Sequence, residues 1–267
     1  MTPDPKKLSL REMVSFRLDG KVALVTGGGS GIGRAIALAF AHAGAWVAIV
    51  DRDELKAVGV AREIVKIGQQ SLPIVADVGS EADVLRAVTS VTNEFGGLDI
   101  LVNSAGTVVR KPAVELALAD WDKVMAINVS GTFLVSREAA RVMLAGQRGG
   151  SIINIASIMG FSGGGLYPNV AYQTSKGAVV NMTRALAVEW AKTGVRVNAL
   201  APQWVNTPFV EGLRDKPDLM ERIRGMVPMG RLAEPEEIAG AAVFLASGAS
   251  SMITGHILAV DGGFLAQ

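Results

Sequence analysis

Seven short runs rich in valine and isoleucine punctuate the chain, at residues 21–26 (KVALVT), 46–51 (WVAIVD), 71–76 (SLPIVA), 98–103 (LDILVN), 151–156 (SIINIA), 195–201 (VRVNALA) and 256–260 (HILAV). Between them, apolar positions return every three or four residues over 31–43, 53–68, 80–95, 120–147, 171–193 and 234–246, which predicts helices. The last of these carries Pro235 with Glu234, Glu236 and Glu237 in its opening turn, where the helix dipole favours negative charge. Strands that are hydrophobic almost without alternation are buried on both faces, so their alternation with helices predicts a parallel sheet covered on two sides. Right-handed crossovers then give one doubly wound α/β sheet of about seven strands, with ligands bound outside the carboxyl ends of the strands. No repeat or low-complexity linker interrupts the pattern. That predicts a single domain over residues 18–267 behind an N-terminal tail, 1–17, with one helical turn near 8–14.

Composition narrows the function classes. The 267 residues are 49% hydrophobic and 19% charged, enough apolar material for a large core. A net charge of +1 offers no basic patch for nucleic acid. With no cysteine, disulfides and thiolate metal sites are excluded, and the two distant histidines, His42 and His256, argue against zinc. The tail lacks the apolar core of a signal peptide. Residues 238–260 run 23 positions without a formal charge, yet Ser247, Gly248, Ser250, Ser251, Thr254 and His256 interrupt them. A helix, a turn and a buried strand are expected there, since a membrane span needs about 20 apolar residues. The chain reads as a soluble, cytoplasmic protein with neither membrane nor nucleic acid as partner.

VTGGGSGIGRA, 25–35, leaves the first strand and opens the first helix. Gly27, Gly31 and Gly33 permit a tight turn, close approach of the backbone to a pyrophosphate, and tight packing of helix on sheet. Free N–H groups at the helix start then hold the anion. Strand before, helix after, and an acid ending the second strand mark a Rossmann-type dinucleotide site. The acid, Asp51, lies 18 positions after Gly33, where a ribose-binding carboxylate is expected. It would accept hydrogen bonds from both adenosine ribose hydroxyls and repel a 2′-phosphate. A unit charge pair at ~4 Å amounts to about 4 kcal/mol at an effective dielectric near 20. That favours NAD. Arg52 next door could swing toward a phosphate and admit NADP, whereas Ser30 adds no positive charge.

AYQTSKGAV, 171–179, places Tyr172 and Lys176 four positions apart at the start of a helix. By itself this is an exposed helical pair worth about 0.2–0.5 kcal/mol. Its chemical use is different. A free tyrosine, with a pKa of about 10, is a poor base near neutrality. An ammonium one turn away stabilises the phenolate and lowers that pKa, as does the positive ring of an oxidised nicotinamide. Tyr172 is therefore the candidate general acid/base for moving a hydride between a secondary alcohol and nicotinamide, with Lys176 tuning it. The other tyrosine, Tyr167, has Ala171 four positions on and is expected to be a pocket or loop residue. Ser157 ends the fifth strand, where it either orients a substrate oxygen or caps the strand-to-loop turn. Asn128 continues the apolar stripe of Trp121, Val124 and Met125, and a buried amide there must find partners.

With these pieces the chain resembles the short-chain dehydrogenase/reductase family over nearly all of residues 18–264. The family's TGxxxGIG pattern stands as Thr26-Gly27-Gly28-Gly29-Ser30-Gly31-Ile32-Gly33, and Asp77 and Val78 stand where the family holds the adenine ring. Its N-N-A-G appears as Asn103-Ser104-Ala105-Gly106. Ser104 alters the local support of the central strand, while Asn103, Ala105 and Gly106 are expected to line the cofactor. The resemblance implies a catalytic set of Asn128, Ser157, Tyr172 and Lys176. In it Lys176 also hydrogen-bonds the nicotinamide ribose, and Asn128 holds a water relaying protons from Lys176 to solvent. APQWVNTP resembles P-G-x-x-x-T, keeping Pro202, replacing Gly with Gln203, and placing Val205 and Thr207 beside the nicotinamide carboxamide and phosphates. DGG at 261–263 closes the chain as in many relatives. A homotetramer is implied too, with helices 120–147 and 171–193 packing across one interface.

Substrate specificity is expected in the loops 107–113, 158–170 and 203–230, the last a mobile helical lid. Gln203, Trp204, Asn169 and Tyr167 would present hydrogen-bond donors and a flat apolar face, which suits a sugar, polyol or sugar acid. The resemblance is greatest to bacterial polyol and gluconate-type dehydrogenases. The alternative is a 3-oxoacyl-thioester reductase. Such enzymes usually prefer NADPH, against which Asp51 argues, and Lys192, Arg196 and Arg214 are too scattered to dock an acidic carrier protein. A nucleotide sensor without turnover, or a methyltransferase with a Gly-rich turn, would have no use for the serine, tyrosine and lysine together.

Overall fold

The computed structural model describes residues 10, 14–164 and 166–267; most of the helical turn expected near 8–14 lies outside them. The seven runs form strands β1 (Val22–Thr26), β2 (Trp46–Asp51), β3 (Ser71–Val75), β4 (Ile100–Asn103), β5 (Gly150–Ile155), β6 (Val195–Pro202) and β7 (Ile257–Val260). All pair in parallel in the order β3-β2-β1-β4-β5-β6-β7. The chain builds outward from β1 to β3, then crosses back to place β4 on the other side of β1. That reversal opens a crevice at the carboxyl ends of β1 and β4, where ligands of open α/β sheets bind.

Each helix follows from its local sequence. Helices α1 (Gly31–His42), α2 (Glu54–Ile67) and α3 (Glu81–Phe95) occupy the predicted segments, and the last two are closed by Gly68 and Gly96 in the left-handed region. The predicted helix 120–147 is two helices, α4 (Leu118–Met125) and α5 (Thr132–Gly146), joined by a π-helical turn at Ala126–Gly131. Periodicity cannot show a π turn, because one extra residue per turn leaves the apolar stripe readable on both sides. Next come α6 (Val170–Trp190), the short α7 (Glu211–Arg214), α8 (Pro217–Met226) and α9 (Pro235–Ala246). Glu234 precedes α9 as its N-cap, forming a reciprocal capping box with Glu237. β7, expected to be buried, is a half-buried edge strand with only β6 beside it.

The sheet separates two hydrophobic cores. On one face α1 and α9 pack against each other, burying Ile36, Phe40, Ile238 and Leu245 with Val25 and Ile49 of the sheet. On the other, Val88 and Val91 of α3, Val135 and Met143 of α5, and Leu186 of α6 cover Leu24, Leu101 and Ile152. Each such side chain, fully buried, contributes about 1.5–3 kcal/mol, so the strands are held rigidly and their ends make a firm rim. Among the described residues no helix is long and apolar enough to cross a membrane.

Candidate active site

At the β1/β4 switch point the Gly-rich turn is shaped by close backbone approach. Gly27 sits at φ +61, and a Cβ there would lie 2.8 Å from the backbone of Ala105. A Cβ on Gly33 would collide with the Gly27 carbonyl, so Gly33 serves helix packing and does not line the cavity. Helix α1 differs from its neighbours at its start. The side chains of Asp53 and Ser80 cap α2 and α3, whereas Ser30 makes no side-chain cap and the first turn of α1 holds no acid. Its amide donors and dipole are left for an anion.

Asp51 ends β2 at the same rim. Its carboxylate accepts from Gly29 N at 3.0 Å and Asp53 N at 3.1 Å, fixing both oxygens beside the cavity. Arg52 and Lys56 flank it, and Lys56 Nζ lies 3.2 Å from Asp53. Asp77 and Val78 line the cavity after β3, with Asp77 turned by a hydrogen bond from Gly79 N. After β4, Ser104 N and Ala105 N both donate to Thr26 Oγ1, which ties the strand ends together. Ser104, Ala105 and Gly106 line the cavity; Asn103, expected to do so, does not. Its amide donates to Ser136 and Asn154, each at 2.9 Å, and Asn154 donates to Thr183. A buried amide in mid-sheet must be partnered, and its partners lie among α5, β5 and α6, away from the cavity.

The cavity, ≈ 330 Å³, runs from Asp51 to Phe209 and lies within the size range of small-molecule sites. Ser157, Tyr172 and Lys176 line it together, joined by Pro202, Val205 and Thr207 from the end of β6. Ser157 caps the turn after β5, its hydroxyl accepting from Met159 N at 3.1 Å, and it also lines the cavity. Lys176 Nζ donates to Ile155 O at 2.7 Å and lies 5.5 Å from the Tyr172 ring centre. Desolvation pulls the lysine down to about 8. It pushes Tyr172 up to about 12, partly offset by the Ser157 hydroxyl beside it and the Arg110 charge. The expected lowering of Tyr172 by Lys176 is therefore not met in the protein alone, because burial favours the neutral form of both groups.

Asn128 stands behind this wall and does not line the cavity. It lies in the π turn, donating from Nδ2 to Thr107 O and Ser175 Oγ and accepting from Thr107 N at 2.8 Å. The amide thus clamps the loop after β4 to α6.

The substrate end is an aromatic cluster. Tyr172 and Phe209 rings lie 5.7 Å apart, and Trp204 Nε1 donates to Tyr167 Oη at 2.8 Å. Gln203 Nε2 donates to Arg231 O, and Asn169 Oδ1 accepts from Gln173. So Trp204, expected to offer a donor to a ligand, has its only one engaged within the protein, and Gln203 has one of its two. Helices α7 and α8 fold over this end, burying Leu213, Met220 and Ile223 against Trp204 and Met159. Lys56, Val108, Arg110, Met159 and Phe209 also line the cavity; the last four lie in the loops expected to carry specificity, though none was singled out there. Only Lys56, one turn beyond Asp53, had a local spacing that could have found it.

A family model described as "Enoyl-(Acyl carrier protein) reductase" matches residues 27–265. The galactitol 2-dehydrogenase (L-tagatose-forming) of Cereibacter sphaeroides is 46% identical over 250 residues, covering 93% of this chain and 96% of that protein. The crystal structure of a short-chain type dehydrogenase/reductase from Mycobacterium marinum superposes with a TM-score of 0.91 at 40% identity, covering 95% of this chain and 98% of that one. A gluconate 5-dehydrogenase from Burkholderia cenocepacia J2315, crystallised with NADP and tartrate, gives a TM-score of 0.91 at 37% identity over 96% of this chain and 99% of its own.

Proposed function

The chain belongs to the short-chain dehydrogenase/reductase family, and from that premise we propose that it oxidises a secondary hydroxyl of a polyol, sugar or sugar acid with NAD as cofactor. It is an oxidoreductase of CH–OH groups that uses a nicotinamide dinucleotide. The observation that carries the assignment of roles is the meeting of Ser157, Tyr172 and Lys176 on one wall of a cavity that begins at an uncapped helix start.

The residues present fit such a cofactor: the open amides of α1 and the glycine cradle suit its pyrophosphate, and Asp51 suits the adenosine ribose. When bound, the nicotinamide takes up or gives the hydride. Tyr172 exchanges the substrate hydroxyl proton through its own oxygen. Ser157 Oγ holds the same substrate oxygen and steadies charge developing on it. Lys176, protonated at neutral pH even with its lowered pKa, stabilises the phenolate. Asn128 keeps one lone pair of Oδ1 beyond its bond from Thr107, and we keep for it the water that carries protons away from Lys176. The fixed Asp51 carboxylate supports NAD, while Arg52 and Lys56 are the cations through which NADP would be admitted. A cytoplasmic homotetramer completes the reading, supported by exposed Phe133 and Val188 on α5 and α6.

The test is cofactor reduction by the purified protein with NAD⁺ and NADP⁺ over polyols, sugar acids and simple secondary alcohols, beside Tyr172→Phe. Turnover of a polyhydroxy substrate with NAD⁺, abolished in the variant, is expected. Silence on that panel with oxidation of NADPH by a 3-oxoacyl thioester would replace the substrate class, and NADH binding without any turnover would make the protein a sensor.

A further inference from the structure

Two arginines that make no ion pair among the described residues, Arg196 and Arg110, are treated differently. Arg196 is half-buried, and its guanidinium is used by the fold. Nη1 donates to Ser250 Oγ and Ile253 O, and Nη2 to Leu245 O and Ser247 O, closing the carboxyl end of α9. Arg110 enters the cavity from the loop after β4, and only Nη2 is engaged, with Phe209 O at 3.2 Å. Its Nε is fully buried, with no acceptor among the described residues. Its guanidinium carbon lies 5.4 Å from the centre of Tyr167 and 5.8 Å from that of Phe209, so the aromatic rings fix its position.

A buried donor without a partner costs about 1–3 kcal/mol, more when charged. The acids lining the cavity, Asp51 and Asp77, both stand at the end of the Gly-rich turn. Among the described residues no acid lines the substrate end, yet the Arg110 charge acts on Tyr172. Nη1 makes no hydrogen bond among those residues and, unlike Nε, is not enclosed, so the Nη groups are the donors open to an anion; a guanidinium's planar fork matches a carboxylate with two parallel hydrogen bonds.

We infer that Arg110 is the residue that selects the substrate, by binding the carboxylate of a polyhydroxy acid whose secondary hydroxyl meets Ser157 and Tyr172. The physiological substrate is then a sugar acid and not the neutral polyol of the same skeleton. This rests on the cavity being the hydroxyl-oxidising site.

The test uses pairs that differ only in a terminal carboxylate against a hydroxymethyl group: D-gluconate and D-glucitol, D-galactonate and galactitol, D-threonate and threitol. Binding to the NADH-loaded protein by calorimetry, and initial rates with NAD⁺ and NADP⁺, are measured for the wild type, Arg110→Met and Arg110→Lys. In at least one pair the acid should bind and react about 10- to 100-fold better than its polyol. Arg110→Met should erase that preference through KM, the acid falling much further than the polyol, and Arg110→Lys should restore part of it. A preference in binding that Arg110→Met removes, with no acid turned over, would uphold the carboxylate site and count against the hydroxyl-oxidising reading. Equal binding of acid and polyol in every pair, or an equal fall for both in the two variants, would overturn the inference.

Discussion

Two cation–aromatic pairs face one cavity and were assembled in opposite ways. Lys176 lies 5.5 Å from Tyr172, one turn away on the same helix; Arg110 lies 5.4 Å from Tyr167, 57 positions distant in sequence, with both on loops. The helical pair is set by local geometry and backed by buried strand ends, with Nζ anchored on Ile155 O. The loop pair depends on Phe209 and Trp204, which reach it from beyond β6. In the proposed reading the difference is one of purpose as well as origin. A chemical step common to many substrates is built on regular structure, while the group that distinguishes substrates stands on loops carried by that scaffold.

The sharpest way to separate the pairs is to remove one hydroxyl from each. Tyr172→Phe should lower kcat/KM by about 10³-fold with cofactor affinity nearly unchanged, read by steady-state rates and NADH titration. A comparable loss in Tyr167→Phe would break the distinction. Lys176→Met should lower kcat by about 10²-fold on acids and polyols alike, unlike Arg110→Met, whose effect falls chiefly on KM for acids.

The lysine also leaves a thermodynamic signature. Its folded pKa of about 8 lies below the ordinary lysine value of 10.5, so between these values the unfolded chain binds more protons and stability rises with pH. That rise is about 1.4 kcal/mol for each unit of pH within the window. Denaturant melts from pH 8 to 10 should show it in the wild type and lose it in Lys176→Met. Above pH 10 the raised pKa of Tyr172 acts in the other direction, since the unfolded tyrosine ionises first.

Asp51→Asn touches neither pair. It should move the NADP⁺ to NAD⁺ ratio of kcat/KM by about 100-fold towards NADP⁺, as the repulsion of a 2′-phosphate disappears. The preference between acid and polyol should not change, and a change there would mean that the two ends of the cavity are coupled. The smallest effect is expected from Tyr167→Phe. Losing the acceptor for Trp204 Nε1 should cost about 1 kcal/mol of stability and a few-fold in KM, read by melts and rates.

The inner strands β1, β2, β4, β5 and β6 were legible because both faces of each are buried, which leaves a continuous apolar run that no loop shares. Asp51 and the glycines were legible because their work is done by backbone geometry at one strand–helix turn. Asn128 was visible as an odd polar residue in an apolar stripe, but its partners were not, because Thr107 and Ser175 reach it from other elements. Asn103 was placed in the cavity by its motif and out of it by Ser136 and Asn154, residues that the motif does not contain.

By itself the sequence determined the doubly wound sheet, the crevice at its switch point, and the Tyr172–Lys176 spacing, since each follows from hydrophobic period, glycine geometry or one helical turn. Only the tertiary structure decided which polar groups were already engaged. It tied Gln203 to Arg231 and Trp204 to Tyr167, raised Tyr172 by burial, and left Arg110 Nε without an acceptor. Hydrogen-bond satisfaction and desolvation are sums over neighbours in space, and those neighbours come from loops whose positions no local pattern encodes.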